Sequence, residues 1–494
     1  MTTSPSEPLG PGSPPGPVAT ALPLIAEWVA AAMSGVMVTG DRADAFTGVS
    51  IDTRTLKAGE LYVAIRGEQF DGANFADAAI VAGAAGVVVP RGGRAALERA
   101  SDPRSIGDAR PVVIEVEDTT AALQALGHAV RMESGAKVVA ITGSAGKTTT
   151  KEVAAEFLGT RHRVVRNRGN LNNHIGLPLS LIELRQRPEI AVVELGMSHA
   201  GEISTLVRVA DPDVRVWTNV GEAHLGFFAS LDAIADAKAE IFEGATPSTV
   251  LVANADDARV VARAPRFAGR TVTFGIERAA DVRAASVVDR GIDGTTARVE
   301  TPRGDVEITT PLIGRGNLSN VLAATAVALE FGVPLDAIAA QAGALKPAAH
   351  RGDVVRLARG ITVVDDSYNA NPTATRLALE VIGGAGQVRR RVAVLGEMLE
   401  LGDHALALHE HVGRAAARAG LDLLIVVGGA AAAALGDAAV AGGMPRASVR
   451  HFETSGEAAA AAATLVTDGD LVLVKGSRGV RTDRVVDRLK AELA

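Results

Sequence analysis

The 494-residue chain carries 50 Lys and Arg residues against 57 Asp and Glu residues, which gives a formal net charge of −7. A nucleic-acid backbone is bound by a basic face, so this balance argues against a nucleic-acid-binding protein. The sequence contains no cysteine, which excludes disulfides, thiolate catalysis and cysteine-ligated zinc.

A chain of this length exceeds what one hydrophobic core supports, so several domains are expected. No Lys or Arg precedes Arg42, so we expect no secretory signal, which needs a positively charged start. Among the segments with a folded pattern, the charge-free run 423–436 has only 14 residues. A membrane helix needs about 20 apolar residues, so we expect no membrane span and a soluble cytoplasmic protein. Residues 1–20 begin with MTTSPSEPLGPGSPPGPV, whose prolines and glycines predict a disordered tail.

Residues 21–116 predict a small α/β domain. GVSIDTRTLKAGELYVAIRG contains two short strands around a turn, and a helical ANFADAAIVAGA and the strand GVVVP follow. Residues 117–346 predict a central domain, because short runs rich in Val and Ile alternate with helical stretches, as in a parallel sheet buried on both faces. Around 281–312 the pattern alternates strictly with turns at Asp293-Gly294 and Arg303-Gly304, which predicts an appended β-ribbon.

Residues 347–494 repeat the strand and helix alternation with the runs GITVVDD, RVAVLGE, DLLIVVGG, SVRHF and DLVLVKG. This order predicts a Rossmann-like domain. The fold class is therefore α/β in three domains. The cluster His404, His409 and His411 lies in HALALHEH, without a carboxylate-rich setting, and we interpret it as a helix surface.

A phosphate-binding loop begins the central domain. The sequence KVVAITGSAGKTTT predicts a strand over 137–142, a glycine turn and a helix from Lys147. Glycines let backbone N–H groups approach phosphates, and the helix N-terminus favours negative charge. Lys147 would reach the β- and γ-phosphates, and the Thr148 hydroxyl would complete a Mg²⁺ shell. The plain alternative is a glycine-rich turn that binds nothing, and the loop is shorter than the usual G-x-x-x-x-G-K-[ST].

The shortened loop TGSAGKTTT resembles that of the Mur ligase family, whose members use ATP to join a carboxylate to an amine. Further stretches follow in the family's order: NRGNLNNHIGLPLSL, VVELGMSHAGEI, TNVGEAHLGFFASLDAIADAKAEIFEG, GRGNLSNVLAATAVAL, HRGDVV, VVDDSYNANPTA and VLGEMLELG. The resemblance covers roughly residues 21–494. It implies a UDP-binding domain at 21–116, an ATPase domain at 117–346 and a domain for the incoming amine at 347–494.

Within the family, ELGMSHAGEI and DDSYNANP resemble the member that adds D-Ala-D-Ala to UDP-MurNAc-tripeptide in peptidoglycan precursor synthesis. The resemblance implies these two substrates and an acyl-phosphate intermediate. The sequence does not give the oligomeric state, and we expect a monomer. Four alternatives stay open: the ligase that adds the third amino acid, a folylpolyglutamate synthetase, an ATPase or switch protein without ligation, and a non-catalytic muropeptide-binding relative.

The resemblance also assigns residues to ATP and two Mg²⁺ ions. The metal ligands implied are Thr148, Glu194, His224 and a carbamylated Lys238. Without the resemblance, Lys238 would be an ordinary helix lysine and His224 an ordinary histidine. The implied catalytic residues are Lys147, His224, Lys238 and Arg351. The implied ATP-binding residues are Gly143, Ser144, Ala145, Gly146, Lys147, Thr148, Thr149, Asn317, Arg351 and Asp366.

The substrate contacts are implied in the same way. Those for the muropeptide nucleotide are Asp52, Thr53 and Arg54 in the first domain and Asn172 and Asn173 in the second. Asparagine offers both a donor and an acceptor to sugar or peptide amides. Candidate contacts for the dipeptide are Asn369, Asn371 and Lys475. Because these residues come from all three domains, closure of the third domain onto the second is expected to assemble the site.

Overall fold

The computed structural model describes residues 20–67, 69–93, 111–386 and 388–493, and the strands there form four sheets. Three of the sheets are mainly parallel and follow one another along the chain, each with its own helices. The predicted α/β architecture in three parts is confirmed. The predicted disordered tail covers residues 1–20, and all but the last of these lie outside the described residues. No helix in the described ranges has both the length and the apolar character that crossing a bilayer requires.

The first part contains a five-stranded sheet of order β2-β7-β6-β5-β4, in which only the β2–β7 pair is antiparallel. A separate antiparallel pair, β1–β3, lies beside it. The strands are β1 (Leu24–Ile25), β2 (Val36–Thr39), β3 (Ala45–Phe46), β4 (Val49–Ser50), β5 (Leu61–Val63), β6 (Gly86–Pro90) and β7 (Val112–Val116). Its helices include α1 (Ala26–Ala32) and α2 (Ala76–Val81).

The central part is built on a nine-stranded sheet of order β16-β15-β14-β13-β12-β11-β8-β10-β9. The strands are β8 (Lys137–Thr142), β9 (Val164–Arg166), β10 (Ile190–Glu194), β11 (Val214–Trp217), β12 (Val250–Asn254), β13 (Arg270–Gly275), β14 (Val282–Asp289), β15 (Thr295–Thr301) and β16 (Gly304–Thr310). The last three pair antiparallel with turns at 290–294 and 302–303, so the predicted β-ribbon is confirmed.

Helices cover both faces of the central sheet. They are α3 (Thr119–Ser134), α4 (Lys147–Gly159), α5 (Gly176–Ile182), α6 (Glu202–Ala210), α7 (Leu231–Ala239), α8 (Ala258–Arg263), α9 (Gly314–Glu330) and α10 (Leu335–Gly343). Alternate residues of β8 enter two different apolar clusters, with Val138 and Ala140 on one face and Val139 and Ile141 on the other. This double burial explains why the strand is a continuous apolar run.

The third part has a six-stranded sheet of order β17-β18-β22-β19-β20-β21, in which only β17 is antiparallel. The strands are β17 (Asp353–Arg356), β18 (Thr362–Asp366), β19 (Arg390–Gly396), β20 (Leu423–Val427), β21 (Val449–Phe452) and β22 (Asp470–Lys475). The helices are α11 (Pro372–Gly384), α12 (Ala405–Arg418), α13 (Ala430–Ala441), α14 (Ser455–Leu465) and α15 (Asp483–Leu493). The predicted boundaries after residues 116 and 346 fall between the sheets, and the limits themselves stay a prediction.

The prediction that His404, His409 and His411 lie on a helix surface is wrong for His409. His404 and His411 are exposed, but His409 is fully buried on the inner side of α12. Its Nε2 accepts from the Met398 N–H at 2.9 Å, and its Nδ1 donates to the Ala405 carbonyl at 2.7 Å. Burial lowers the pKa of His409. The residue is a structural bridge between the helix and the loop before it.

The strand order places the glycine turn at a topological switch point. β8 lies between β10 and β11, with Glu194 beside Ile141 and Trp217 beside Thr142. The carboxyl ends of all three strands therefore surround the turn that follows β8. Ligands of open α/β sheets bind in such a crevice.

Candidate functional site

The turn after β8 needs glycine at both of its ends. Gly143 and Gly146 have φ values of +149° and +81°. A Cβ on Gly143 would lie 1.9 Å from Thr218 Oγ1, and one on Gly146 would lie 2.2 Å from Asn320 Oδ1. The loop is therefore pressed against the end of β11 and against α9, and no side chain fits at either position.

The segment after β11 holds this loop in shape. The Asn219 side chain accepts from the Ala145 N–H at 2.9 Å and donates to the Ala145 carbonyl at 3.1 Å. Ser144 Oγ donates to the Gly221 carbonyl at 3.0 Å, and Thr218 Oγ1 donates to the Ala145 carbonyl at 2.7 Å. The loop is thus fixed before any ligand arrives, which lowers the cost of binding.

Lys147 begins α4 and folds back over the loop. Its Nζ donates to the Gly143 carbonyl at 2.9 Å. Burial and the nearby charge of Arg351 lower the pKa of Lys147, although the carboxylate of Glu194 acts in the opposite direction. A half-buried ammonium beside free helix N–H groups is a site for an anion.

Glu194 ends β10 and faces the first turn of α4. Thr148 Oγ1 donates to its Oε2 at 2.6 Å, and Asn172 Nδ2 donates to its Oε1 at 2.9 Å. Burial by itself raises the pKa of Glu194, but the charges of Lys147 and Arg351 and these two hydrogen bonds outweigh it, so the pKa is lowered. Glu194 is therefore an ionised carboxylate with only 4% of its surface exposed.

His224 and Lys238 both lie near the charge of Lys147. Burial and the charges of Lys147 and Lys238 lower the pKa of His224, while Glu400 opposes the shift. Lys238 on α7 is 2% exposed, and burial together with Lys147 lowers its pKa well below the ordinary value against the pull of Glu194. Among the described residues, no three His, Asp or Glu side chains already form a metal site. A further oxygen donor would have to come from a ligand or from a modified residue.

The third part of the chain closes the site from the opposite side. The Arg351 guanidinium lies over the Tyr368 ring, with Cζ 4.1 Å from the ring centroid. Lys475 Nζ donates to Asp366 Oδ2 at 2.6 Å and to the Asn369 carbonyl at 3.0 Å. These groups and the glycine turn border one cavity of about 510 Å³.

Most of the predicted site residues border this cavity. They are Ser144, Ala145, Gly146, Lys147, Thr148, Thr149, Asn172, Asn173, Glu194, His224, Asn317, Arg351, Asp366, Asn369, Asn371 and Lys475. Gly143 and Lys238 are not among the residues that line it. Gly143 accepts from Lys147 Nζ, and Lys238 lies near enough to His224 to affect its pKa. The structure does not bring Asp52, Thr53 and Arg54 to this cavity. Asp52 and Arg54 instead form an ion pair with each other at 2.6 Å.

Family models match most of the chain. The Mur ligase middle domain matches residues 141–328, the Mur ligase glutamate ligase domain matches 350–478, and the Mur ligase family catalytic domain matches 45–131. The chain belongs to the Mur ligase family. The predicted resemblance is confirmed, and with it the prediction that this Mur ligase is an enzyme that forms C–N bonds.

Curated relatives of this Mur ligase are named UDP-N-acetylmuramoyl-tripeptide–D-alanyl-D-alanine ligase. Those of Bacillus subtilis and Escherichia coli are 34% and 36% identical over 445 residues, which covers 90% of this chain and 93% of each relative. The structure of MurF from Acinetobacter baumannii is 30% identical with a TM-score of 0.83, covering 96% of this chain and 100% of that one. MurF from Thermotoga maritima in complex with ADP is 28% identical with a TM-score of 0.78, covering 90% and 97%.

Sequence reasoning missed four residues that shape the site of this Mur ligase. Asn219 and Asn320 support the loop, Tyr368 lies against Arg351, and Glu400 bonds to His224. All four lie within stretches that carried the family resemblance, so their location was available from the sequence. Their contacts were not, because each contact joins two different segments of the folded chain.

Proposed function

We propose that this Mur ligase uses ATP to join D-Ala-D-Ala to UDP-MurNAc-tripeptide, a step of peptidoglycan precursor synthesis. The names of relatives that match nine-tenths of the chain support these substrates. The observation that carries the proposal is the single cavity in which Lys147 and Glu194 of the central part meet Arg351 of the third part. Two opposed cationic groups around one ionised carboxylate suit a triphosphate with a metal ion.

The glycine turn would hold the phosphates of ATP. Residues 143–149 supply backbone N–H groups, the Lys147 ammonium and two threonine hydroxyls, and Arg351 would meet the γ-phosphate from the other side. Arginine suits this position because its guanidinium stays charged and offers a planar fork of donors. Asn317 and Asp366 border the same cavity and would contact the adenosine.

The residues present offer oxygen ligands to one Mg²⁺ ion, and they would offer a second site if Lys238 is carbamylated. Thr148 Oγ1 and Glu194 Oε2 are two oxygens 2.6 Å apart, which are ligands that Mg²⁺ prefers, and they would hold one ion. His224 and a carbamylated Lys238 would hold the second. An ammonium cannot bind a cation, but burial lowers the pKa of Lys238 and so favours the neutral amine, the form that takes up CO₂ and becomes an anion. When bound, the ions neutralise charge on the transferred phosphoryl group.

The substrates would enter from the two ends of the cavity. Asp52, Thr53 and Arg54 would contact the uridine nucleotide, with Asn172 and Asn173 nearer the peptide. Asn369, Asn371 and Lys475 would contact the dipeptide. Asn173 Oδ1 accepts from the Gly176 N–H at the start of α5, and Asn371 Oδ1 caps α11 by accepting from the Ala374 N–H. The side-chain amide nitrogens of both residues would therefore be the atoms that contact a substrate.

We infer a reaction in two steps. The terminal carboxylate of the tripeptide attacks the γ-phosphorus of ATP, the bond to ADP breaks, and an acyl phosphate forms. The amine of D-Ala-D-Ala then attacks the acyl carbon, loses a proton, and inorganic phosphate leaves. Lys147 and Arg351 hold the phosphoryl oxygens throughout. One chain supplies every proposed group, so a monomer suffices, and we place the reaction in the cytoplasm.

The test is a coupled assay of ADP release and of peptide product by mass spectrometry. ADP release is expected to require both UDP-MurNAc-tripeptide and D-Ala-D-Ala, and to produce the pentapeptide. Substituting UDP-MurNAc-dipeptide with Lys or diaminopimelate, or a folate with Glu, should give no product. ADP release that continues without an amine would contradict ligation, and product from either exchanged pair would favour the corresponding alternative.

A further inference from the structure

The segment 221–226 is part of the connection between β11 and α7, and it contacts the third part of the chain at two points. At the first point, Thr373 Oγ1 at the start of α11 donates to Glu222 Oε2. Arg376 Nη2 lies 3.5 Å from the other oxygen of Glu222. This contact is half-buried and joins the two parts without involving the cavity residues.

The second point lies two residues further along. His224 Nδ1 and Glu400 Oε2 are 2.5 Å apart, and the Gly226 N–H donates to the Glu400 carbonyl at 2.9 Å. A Cβ on Gly226 would lie 2.7 Å from the nitrogen of Gly402. The two backbones therefore touch, and they hold the His224 and Glu400 side chains face to face.

Both residues of this pair have an unusual backbone. The φ values of His224 and Glu400 are +59° and +64°, which residues other than glycine seldom adopt. Such conformations persist where the surroundings fix them, and they concentrate at functional sites. Here each left-handed residue turns its side chain toward the other part of the chain.

We propose that Glu400 is a positioning residue for the ligase reaction. Its carboxylate accepts a hydrogen bond from His224 Nδ1–H. This bond fixes the orientation of the ring and leaves the lone pair on Nε2 for a metal ion. Because Glu400 arrives with the third part of the chain, His224 is held for metal binding only when the two parts are closed. This inference rests on the proposed function, since it takes His224 to be a ligand of the second Mg²⁺.

A linkage follows between closure and metal binding. If closure makes the free energy of metal binding more favourable, metal binding stabilises the closed form by the same free energy. Loss of a hydrogen-bond partner of a metal-ligating histidine typically lowers metal affinity by about 10- to 100-fold. Removal of the Glu400 carboxylate should therefore weaken the second metal site by about tenfold or more.

The experiment measures Mn²⁺ binding by electron paramagnetic resonance, in full-length protein with a non-hydrolysable ATP analogue. Glu400→Ala removes the acceptor, and Glu400→Gln keeps a neutral one with the same backbone. Thr373→Val breaks only the first contact, so it loosens closure without touching His224. Asp403→Asn changes an exposed acid on the same segment and serves as the control.

The wild-type protein and Asp403→Asn should bind two Mn²⁺ ions. Glu400→Ala should bind the second about tenfold more weakly, with Glu400→Gln in between and Thr373→Val closer to wild type. In turnover, Glu400→Gln should lower kcat with little change in the KM for ATP. Equal weakening by Glu400→Ala and Thr373→Val would show that Glu400 acts only through closure, and unchanged binding in Glu400→Ala would also overturn the proposal. A wild-type protein that binds one Mn²⁺ would instead remove the two-metal part of the proposed function, and this inference with it.

Discussion

Thr148 Oγ1 lies 2.6 Å from Glu194 Oε2 and joins the first turn of α4 to the end of β10. The parallel pairing of β8 and β10 fixes this relationship, because it places Glu194 beside Ile141, just before the glycine turn. One hydrogen bond thus links the loop that would hold phosphate to the carboxylate that would hold metal. Both ligands of the proposed first Mg²⁺ are positioned by the sheet itself rather than by the closure of the domains.

The Thr148 hydroxyl can be tested with a matched pair of variants. Thr148→Ser keeps the oxygen, and Thr148→Val replaces it with a methyl group of similar size. We expect Thr148→Ser to retain most activity and Thr148→Val to lose about 100-fold in kcat, because a metal ligand and a partner of buried Glu194 both disappear. The measurement is steady-state ADP release at saturating Mg²⁺. Similar activity in the two variants would show that the hydroxyl has no role.

The two glycines of the loop predict a steric effect on ATP affinity. Gly146→Ala places a methyl group against Asn320 and forces a left-handed alanine, which costs about 1–2 kcal/mol before the clash is counted. We expect ATP affinity to fall by tenfold or more in calorimetric titration, with the fold retained by circular dichroism. Adding Asn320→Ala relieves the clash but leaves the backbone strain, so the double variant should recover only part of the affinity.

The sequence predicted the three α/β parts, the β-ribbon and the glycine turn, because each depends on local patterns of apolar residues, turns and glycines. It also located Glu194 at a strand end. It could not predict that His224 contacts Glu400, 176 residues away, or that Thr373 contacts Glu222, since these contacts depend on how the parts pack. His409 was predicted wrongly for the same reason. Glu410 and His411, which follow it in sequence, are polar, but the loop at Met398 covers it.

Burial of His409 predicts a pH dependence of stability. The folded protein holds the ring neutral with a lowered pKa, whereas the histidine of the unfolded chain titrates near its ordinary pKa of about 6.5. As the pH falls below about 6.5, the unfolded chain binds the proton first, so stability decreases until the pH is below the folded pKa. Above about 6.5 this residue adds no pH dependence.

Thermal unfolding between pH 8 and pH 5 measures this effect. His409→Gln should be less stable than wild type at pH 8, and its melting temperature should fall less steeply between pH 6.5 and pH 5. His411→Gln alters an exposed histidine of the same helix and should follow the wild-type curve. Parallel curves for wild type and His409→Gln would assign the acid sensitivity to another group.

Lys238 and Lys151 are two buried lysines with different surroundings, and they give the sharpest test of the proposed carbamate. Lys151 is 1% exposed, donates to the Asn167 carbonyl at 2.7 Å and pairs with Glu152 at 3.0 Å. These contacts hold the Lys151 side chain in place, so we expect Lys151 to remain unmodified.

Lys238 is equally buried, but burial and the charge of Lys147 disfavour its ammonium form. The neutral form of Lys238, which this shift favours, can attack CO₂ through Nζ, forming a C–N bond with release of a proton. We therefore expect one carbamate carbon signal when the protein is equilibrated with ¹³C-labelled bicarbonate. The signal should be lost in Lys238→Met and kept in Lys151→Met. A signal that survives Lys238→Met would place the modification elsewhere, and no signal in an active wild-type protein would mean that His224 needs a different partner for the second metal.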